Sequence, residues 1–242
     1  MTATHARMVP WNGDLFRTRF FDALSLLLPS GEAFVIDAIS DALQADGGQG
    51  VSAPALRDEA LRFVREEATH QRAHRRYNER LAQAGVPVSK LEGRVAAAVQ
   101  DLAGLPLPMR LALAEAFEHL TALLSAQVLQ GTAWLQGDGR EARMWRWHCE
   151  EEVGHRHVAS DVARAFGVGY ARRVACLALA TLYLGIDLSR LMTALLWRDM
   201  VDGHVRPLGL LGQATRFALR TAPGVGRMAI ASLAGLLPRR LA

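Results

Sequence analysis

Cysteine is nearly missing from this chain of 242 residues, which carries only Cys149 and Cys176. Two lone thiols make no disulfide framework, and they predict a reducing, cytoplasmic setting. Met1 to Gly13 lacks the charged-then-apolar order of a signal peptide, so no export signal is expected. A G-x-S-x-G elbow, a phosphate loop and an HExxH zinc signature are all missing. Cys149 adjoins His148, but neighbours on a helix diverge, which argues against a Cys–His nucleophile. Alternating strand patterns and Asn-Gly hairpin signals are missing too, leaving an all-helical reading. Acids are absent from Gly203 to Ala242, where Arg206, Arg216, Arg220, Arg227, Arg239 and Arg240 stand. Those six arginines exceed the whole chain's formal charge of +4, so the remainder is close to neutral. Without a basic stripe interleaved with aromatics, nucleic-acid binding is not expected.

Half of the residues are apolar, enough for one large helical domain with a sizeable core. Pro29-Ser30-Gly31 reads as the opening of a helix from about Glu32 to Gln44, with Ser30 as its N-cap. Residues 45–54 read as a loop. Helices then follow over about 55–84, 91–102, 109–136 and 141–166, each bounded by glycine or proline. Val174 to Trp197 has the length of a membrane span, but Asp187 and Arg190 sit within it. It reads as a helix covering the bundle, with a homodimer interface or membrane contact as alternatives. The division expected is a bundle over 1–205 and a basic amphipathic tail over 206–242, suited to the inner-membrane surface.

The most informative feature is a repeated spacing. Glu67-Ala-Thr-His70 and Glu152-Val-Gly-His155 each place a carboxylate and an imidazole three residues apart in a helical stretch. Such residues point about 60° from one another, so each pair shares one face. Bundles that hold two metal ions use two such pairs plus a lone Glu from each of two other helices. Glu32 precedes the first pair, and Glu115 and Glu118 lie between the pairs. Glu67 and Glu152 are the expected bridging carboxylates, and His70 and His155 would each ligate one ion. Glu32 and one of Glu115 or Glu118 would complete the set. His148 lies in one row with Glu152 and His155, adding a third imidazole. His74 and His119 are expected behind the ligands, as supporting groups. Glu66, Glu150 and Glu151 are expected to face solvent. His157 points away from the site face, and His5 and His204 lie outside the helices that carry it.

Leu28-Pro-Ser-Gly-Glu32, Glu66-Glu-Ala-Thr-His-Gln-Arg-Ala-His74, Glu118-His119 and Trp147-His-Cys-Glu-Glu-Glu-Val-Gly-His155 resemble the bacterial family labelled "predicted metal-dependent hydrolase". The resemblance spans about residues 15–200. It implies Glu118 rather than Glu115 as the third helix's carboxylate, and it keeps His74 and His119. Gly154 departs from the pattern, which often has Glu there; a mid-helix Gly costs about 1 kcal/mol relative to Ala. The row of His148, Glu152 and His155 is also similar to that of di-iron arylamine N-oxygenases. The expected protein is therefore an all-α, ferritin-like bundle holding two metal ions, iron first and manganese or zinc as alternatives. The leading function is oxidation or oxygenation of a small organic substrate. A metal-dependent hydrolase and a non-catalytic metal-binding protein are the alternatives.

Overall fold

The computed structural model describes residues 10–45, 51–155 and 157–235, and within them every regular element is a helix. The stretch before residue 10 with His5, residues 46–50 of the 45–54 loop, Arg239 and Arg240 lie outside the described residues. The helices are α1 (Leu15–Gln44), α2 (Pro54–Gln83), α3 (Val88–Ala103) and α4 (Leu107–Val128). They continue with α5 (Arg140–His155), α6 (Val158–Ala165), α7 (Tyr170–Val201) and α8 (Pro207–Gly235). Helices α1, α2, α4 and α5 form the bundle, with α1 packed on α2 and α4, and α5 on α2 and α4. Helix α3 lies across α1 and α2, whereas α7 and α8 cover α1 and α4.

Helix α1 begins well before the expected Glu32. Asp14 caps it, accepting from the backbone N–H of Arg17 at 2.9 Å. Pro29 does not start a helix but lies inside this one, and Ser30 is no cap. A proline in a helix interior removes the N–H owed to the carbonyl four residues back, here Ser25. Asn78 on α2 supplies that donor instead, its Nδ2 lying 2.8 Å from the Ser25 carbonyl. The helix therefore runs on.

Helix α2 follows the expected range and shows why it packs. Ala60, Phe63, Glu67, His70, His74, Tyr77 and Leu81 are buried at steps of three and four. The stripe is apolar at its ends and ionisable in its middle. Helix α4 ends at Val128, short of the expected 136, and Trp134 and Leu135 beyond it are buried in the core. The helix expected over 141–166 is two, since α5 stops at His155 and α6 starts at Val158. Gly154 therefore sits one residue from a helix end rather than mid-helix.

Helices α1 and α7 are both long and apolar enough to cross a membrane. The apolar window of α1 is 56% buried in the protein, that of α7 only 17%. Helix α7 is tied down by Asp199, whose two oxygens each accept from Arg19 of α1 at 2.7 Å. Its outer face leaves Leu179, Leu182, Tyr183 and Ile186 exposed. The expected boundary at 205/206 falls in the turn between α7 and α8. Phe217 of α8 is buried against Phe16, Phe20 and Trp134, so the tail contributes to the core.

Candidate metal centre

Four helices bring their ionisable side chains to one buried point. Helix α1 supplies Glu32; α2 supplies Glu67, His70 and His74; α4 supplies Glu118; and α5 supplies His148, Glu152 and His155. All eight are buried. Glu67, His70, Glu152 and His155 each place a ligand atom within 4.8 Å of the others, and Glu32, His74 and His148 do the same among themselves. His70 and His155, expected on one ion each, thus fall together in one set. The sets adjoin, since the His70 and His148 rings are 4.5 Å apart and the His74 and His148 rings 4.8 Å apart.

Buried polar atoms normally find partners, because leaving one unpaired costs about 1–3 kcal/mol. Here both oxygens of Glu32, one each of Glu67 and Glu118, Nδ1 of His70 and His148, and Nε2 of His74 have none among the described residues. A cluster of orphaned lone pairs from carboxylates and imidazoles suits cations. The four carboxylates match the charge of two divalent ions, and the donor set is hard oxygen with imidazole nitrogen. The residues fit a metal pair.

Protonation in the metal-free protein follows the same geometry. Burial, with the Glu67 and Glu152 charges nearby, pushes the Glu32 and Glu118 carboxyls well above their ordinary value. For Glu67, burial acts upward too, but the bond from His155 and the adjacent charge of His70 prevail and hold it below the ordinary value. Burial opposes the charged form of His70, yet the Glu152 and Glu67 carboxylates keep it up to about 11. Burial, together with the neighbouring imidazoles, brings His148 down to about 4 and His74 well below 6.5.

The histidines are oriented from behind. His155 turns Nδ1 to Glu67 at 2.8 Å and Nε2 to Glu66 at 2.9 Å. His70 turns Nε2 to Glu151 at 2.8 Å and leaves Nδ1 inside, 3.3 Å from Glu67. Glu66 and Glu151, expected to face solvent, thus each hold the histidine of the other pair. The indole Nε1 of Trp147 donates to Glu151 at 2.8 Å and fixes it in turn.

His74 is set by a longer relay. Asn78 donates through Nδ2 to the Ser25 carbonyl and to Glu92 at 2.7 Å, so its Oδ1 must accept. Ser25 gives its single hydroxyl proton to that oxygen at 2.7 Å. The Ser25 oxygen can then only accept from His74 Nδ1, 2.9 Å away. Nδ1 carries the proton, and the Nε2 lone pair faces the site.

Glu118 lies where its charge interacts with Glu32, Glu67 and Glu152, whereas Glu115 accepts from Nε and Nη2 of Arg173 on α7. His119 is half-buried, with its Nε2 unpaired, and belongs to neither donor set. Thr121, not singled out in the sequence, hydrogen-bonds Glu152 at 2.8 Å. Cys149 is buried and its thiol is pushed up to about 12 by burial, which leaves it inert.

A family model described as "predicted metal-dependent hydrolase" matches residues 2–236. The chain belongs to that family. No curated protein and no solved structure matches it. The family match takes in α8, which the sequence resemblance left out. Metal dependence in the family's description and the paired donor sets point the same way, toward metal ions; neither identifies the element.

Proposed function

We propose that the two donor sets hold a pair of iron ions and that this family member oxidises a small organic substrate with dioxygen. The observation that carries the reading is the composition of the centre: four carboxylates and four imidazoles, all buried, with no thiolate among them. Hard oxygen and imidazole donors suit iron and manganese, and iron when bound supplies the electrons that dioxygen chemistry requires. Glu67 and Glu152 would be shared between the ions, with His70 and His155 on one set and Glu32, His74 and His148 on the other. Glu118 would add a terminal carboxylate. The chain's own part is to keep these donors oriented, through Glu66, Glu151, Thr121 and the Ser25–Asn78 relay.

The deciding experiment combines metal analysis with oxygen uptake. Protein purified from its native host should carry about two irons per chain, and its reduced form should consume dioxygen in proportion to iron. The family's description favours a second reading, in which a metal-activated water cleaves an ester or phosphoester. Oxygen-inert iron protein together with zinc-dependent ester cleavage would establish that reading instead.

The same proposal extends to place. Exposed Arg206, Arg216 and Arg220 on and beside α8, together with the exposed apolar residues of α7 and α8, suit peripheral attachment to anionic lipid on the cytoplasmic face.

A further inference from the structure

A cavity of about 210 Å³ reaches from the surface to the carboxylates. Glu32, Glu67, Glu118, Glu152 and Thr121 form its floor. Its walls are aliphatic and aromatic, from Leu27, Leu28, Val95, Val99, Phe117 and Leu184. Asp101 and Tyr183 mark the mouth, where both are exposed, with the partly buried Asp187 beside them.

From this arrangement we infer the substrate class: a linear aliphatic molecule with one oxygen-bearing end, bound with that end at the carboxylate floor and its chain along the apolar wall. The inference rests on the metal-centre reading above. Polar groups are concentrated at the floor and the mouth, so a molecule polar along its length would leave its middle unpaired against hydrocarbon. An apolar cavity of roughly 150 Å³ already accommodates benzene, so this one has room for a longer chain. The unpaired oxygens of Glu32, Glu67 and Glu118, and the metal ions they would hold, draw the oxygen-bearing end to the floor and set the direction. Asp187 at the mouth is already paired with Arg190 at 3.4 Å. Leu182 and Ile186 stand exposed on α7 beside Tyr183 and would continue the apolar path for a longer chain.

The test compares 1-octanol with 1-butanol by titration calorimetry on the full chain, metal-free and metal-loaded. Four more methylenes along the wall should tighten binding by roughly a hundredfold. Val99→Trp, at a partly exposed wall position, should weaken 1-octanol at least tenfold while leaving metal content unchanged. Ala98→Trp at the exposed mouth provides a second block that spares the core. Equal affinity for the two alcohols in the wild-type protein overturns the inference, as does undiminished 1-octanol binding in both variants. Chain-length-dependent binding in a protein that takes up no metal would sustain this inference and overturn the metal-centre reading. Metal loading without 1-octanol binding would do the reverse.

Discussion

Asn78 donates to the carbonyl of Ser25, the group that Pro29 deprives of its helical partner. One proline thereby sets the direction of an amide, a hydroxyl and an imidazole in sequence, ending with the His74 lone pair in the metal centre. Replacing Asn78 by Leu should leave the Ser25 carbonyl buried and unpaired, at a cost of about 1–3 kcal/mol. It should also release the His74 tautomer. Metal affinity should fall about tenfold or more, measured by competition with a chelator, alongside a lower melting temperature. Pro29→Ala tests the same relay from its origin. It restores the helical N–H, so it should perturb metal binding without lowering helix content.

Glu66 and Glu151 stand behind His155 and His70 at 2.9 and 2.8 Å, each reaching from the opposite pair's helix. Their side chains are 39% and 37% exposed, so removing either should not unfold the protein. Glu66→Ala and Glu151→Ala should each weaken metal binding ten- to a hundredfold, with melting of the metal-free protein nearly unchanged. Wild-type affinity in both variants would reduce these contacts to surface pairs.

The bundle and the clustering of its central carboxylates and imidazoles are legible in the sequence because helical spacing alone puts Glu67 with His70 and Glu152 with His155. What surrounds them is not. Glu66 and Glu151 project off their own helix's ligand face, and only the packing of α2 against α5 turns that direction toward a partner histidine. The doubled Glu-Glu before each histidine is the signal that was there to find. Pro29 reads as a helix start because the Asn78 donor that lets α1 continue lies on another helix. His74 is expected behind the ligands, and its placement in a donor set is not legible because the Ser25 that orients it lies on another helix. The break after His155 is likewise invisible to periodicity, since Gly154 by itself marks no helix end.

The proposed sharing of Glu67 and Glu152 between two ions has a stoichiometric consequence. Glu67→Ala and Glu152→Ala should each lose both metal ions together, read by elemental analysis, rather than one. His148→Ala should retain part of the metal, because Glu32 and His74 remain in its set, while altering the reaction. Stoichiometric metal in both glutamate variants would remove the four-helix site.

Metal-free protein should lose stability as pH rises from about 6.5. Glu32 and Glu118 bind protons more tightly folded than unfolded. Stability from that source is complete below the ordinary value of 4.5 and is lost as pH climbs through the raised values. His70 acts in the same sense, its contribution complete below 6.5 and lost as pH approaches about 11. His148, lowered to about 4, works oppositely and matters only below 6.5. Metal ions require ionised carboxylates and a deprotonated His70 nitrogen, so they compete with these protons. The melting-temperature gain from a fixed concentration of ferrous or manganous ion should therefore be larger at pH 8 than at pH 6. A gain independent of pH would separate the metal from these groups.

Gly154 should tolerate replacement. A Cβ there would meet nothing within 4 Å, and its φ is not positive. Gly154→Ala is expected to stabilise the protein by about 0.4–1 kcal/mol through the unfolded chain, with metal content unchanged. A loss of metal would show instead that the turn after His155 needs glycine's freedom.

The lipid contact needs a test that leaves the core intact. Truncation at the start of α8 would remove Phe217 from its packing with Phe16, Phe20 and Trp134, and loss of binding would then report only damage. Arg206, Arg216 and Arg220 are exposed, so replacing all three with Ser changes charge with little effect on packing. Each basic residue near an anionic surface contributes about 1 kcal/mol at physiological ionic strength. The triple variant should accordingly bind phosphatidylserine vesicles about a hundredfold more weakly in sedimentation, with metal content unchanged. Added salt should weaken the wild-type protein toward the same level, since screening acts on exposed charges. Failure of the wild-type chain to sediment with such vesicles at low salt removes the contact. Concentration-dependent dimerisation blocked by Leu182→Glu would then assign the exposed face of α7 to a second copy.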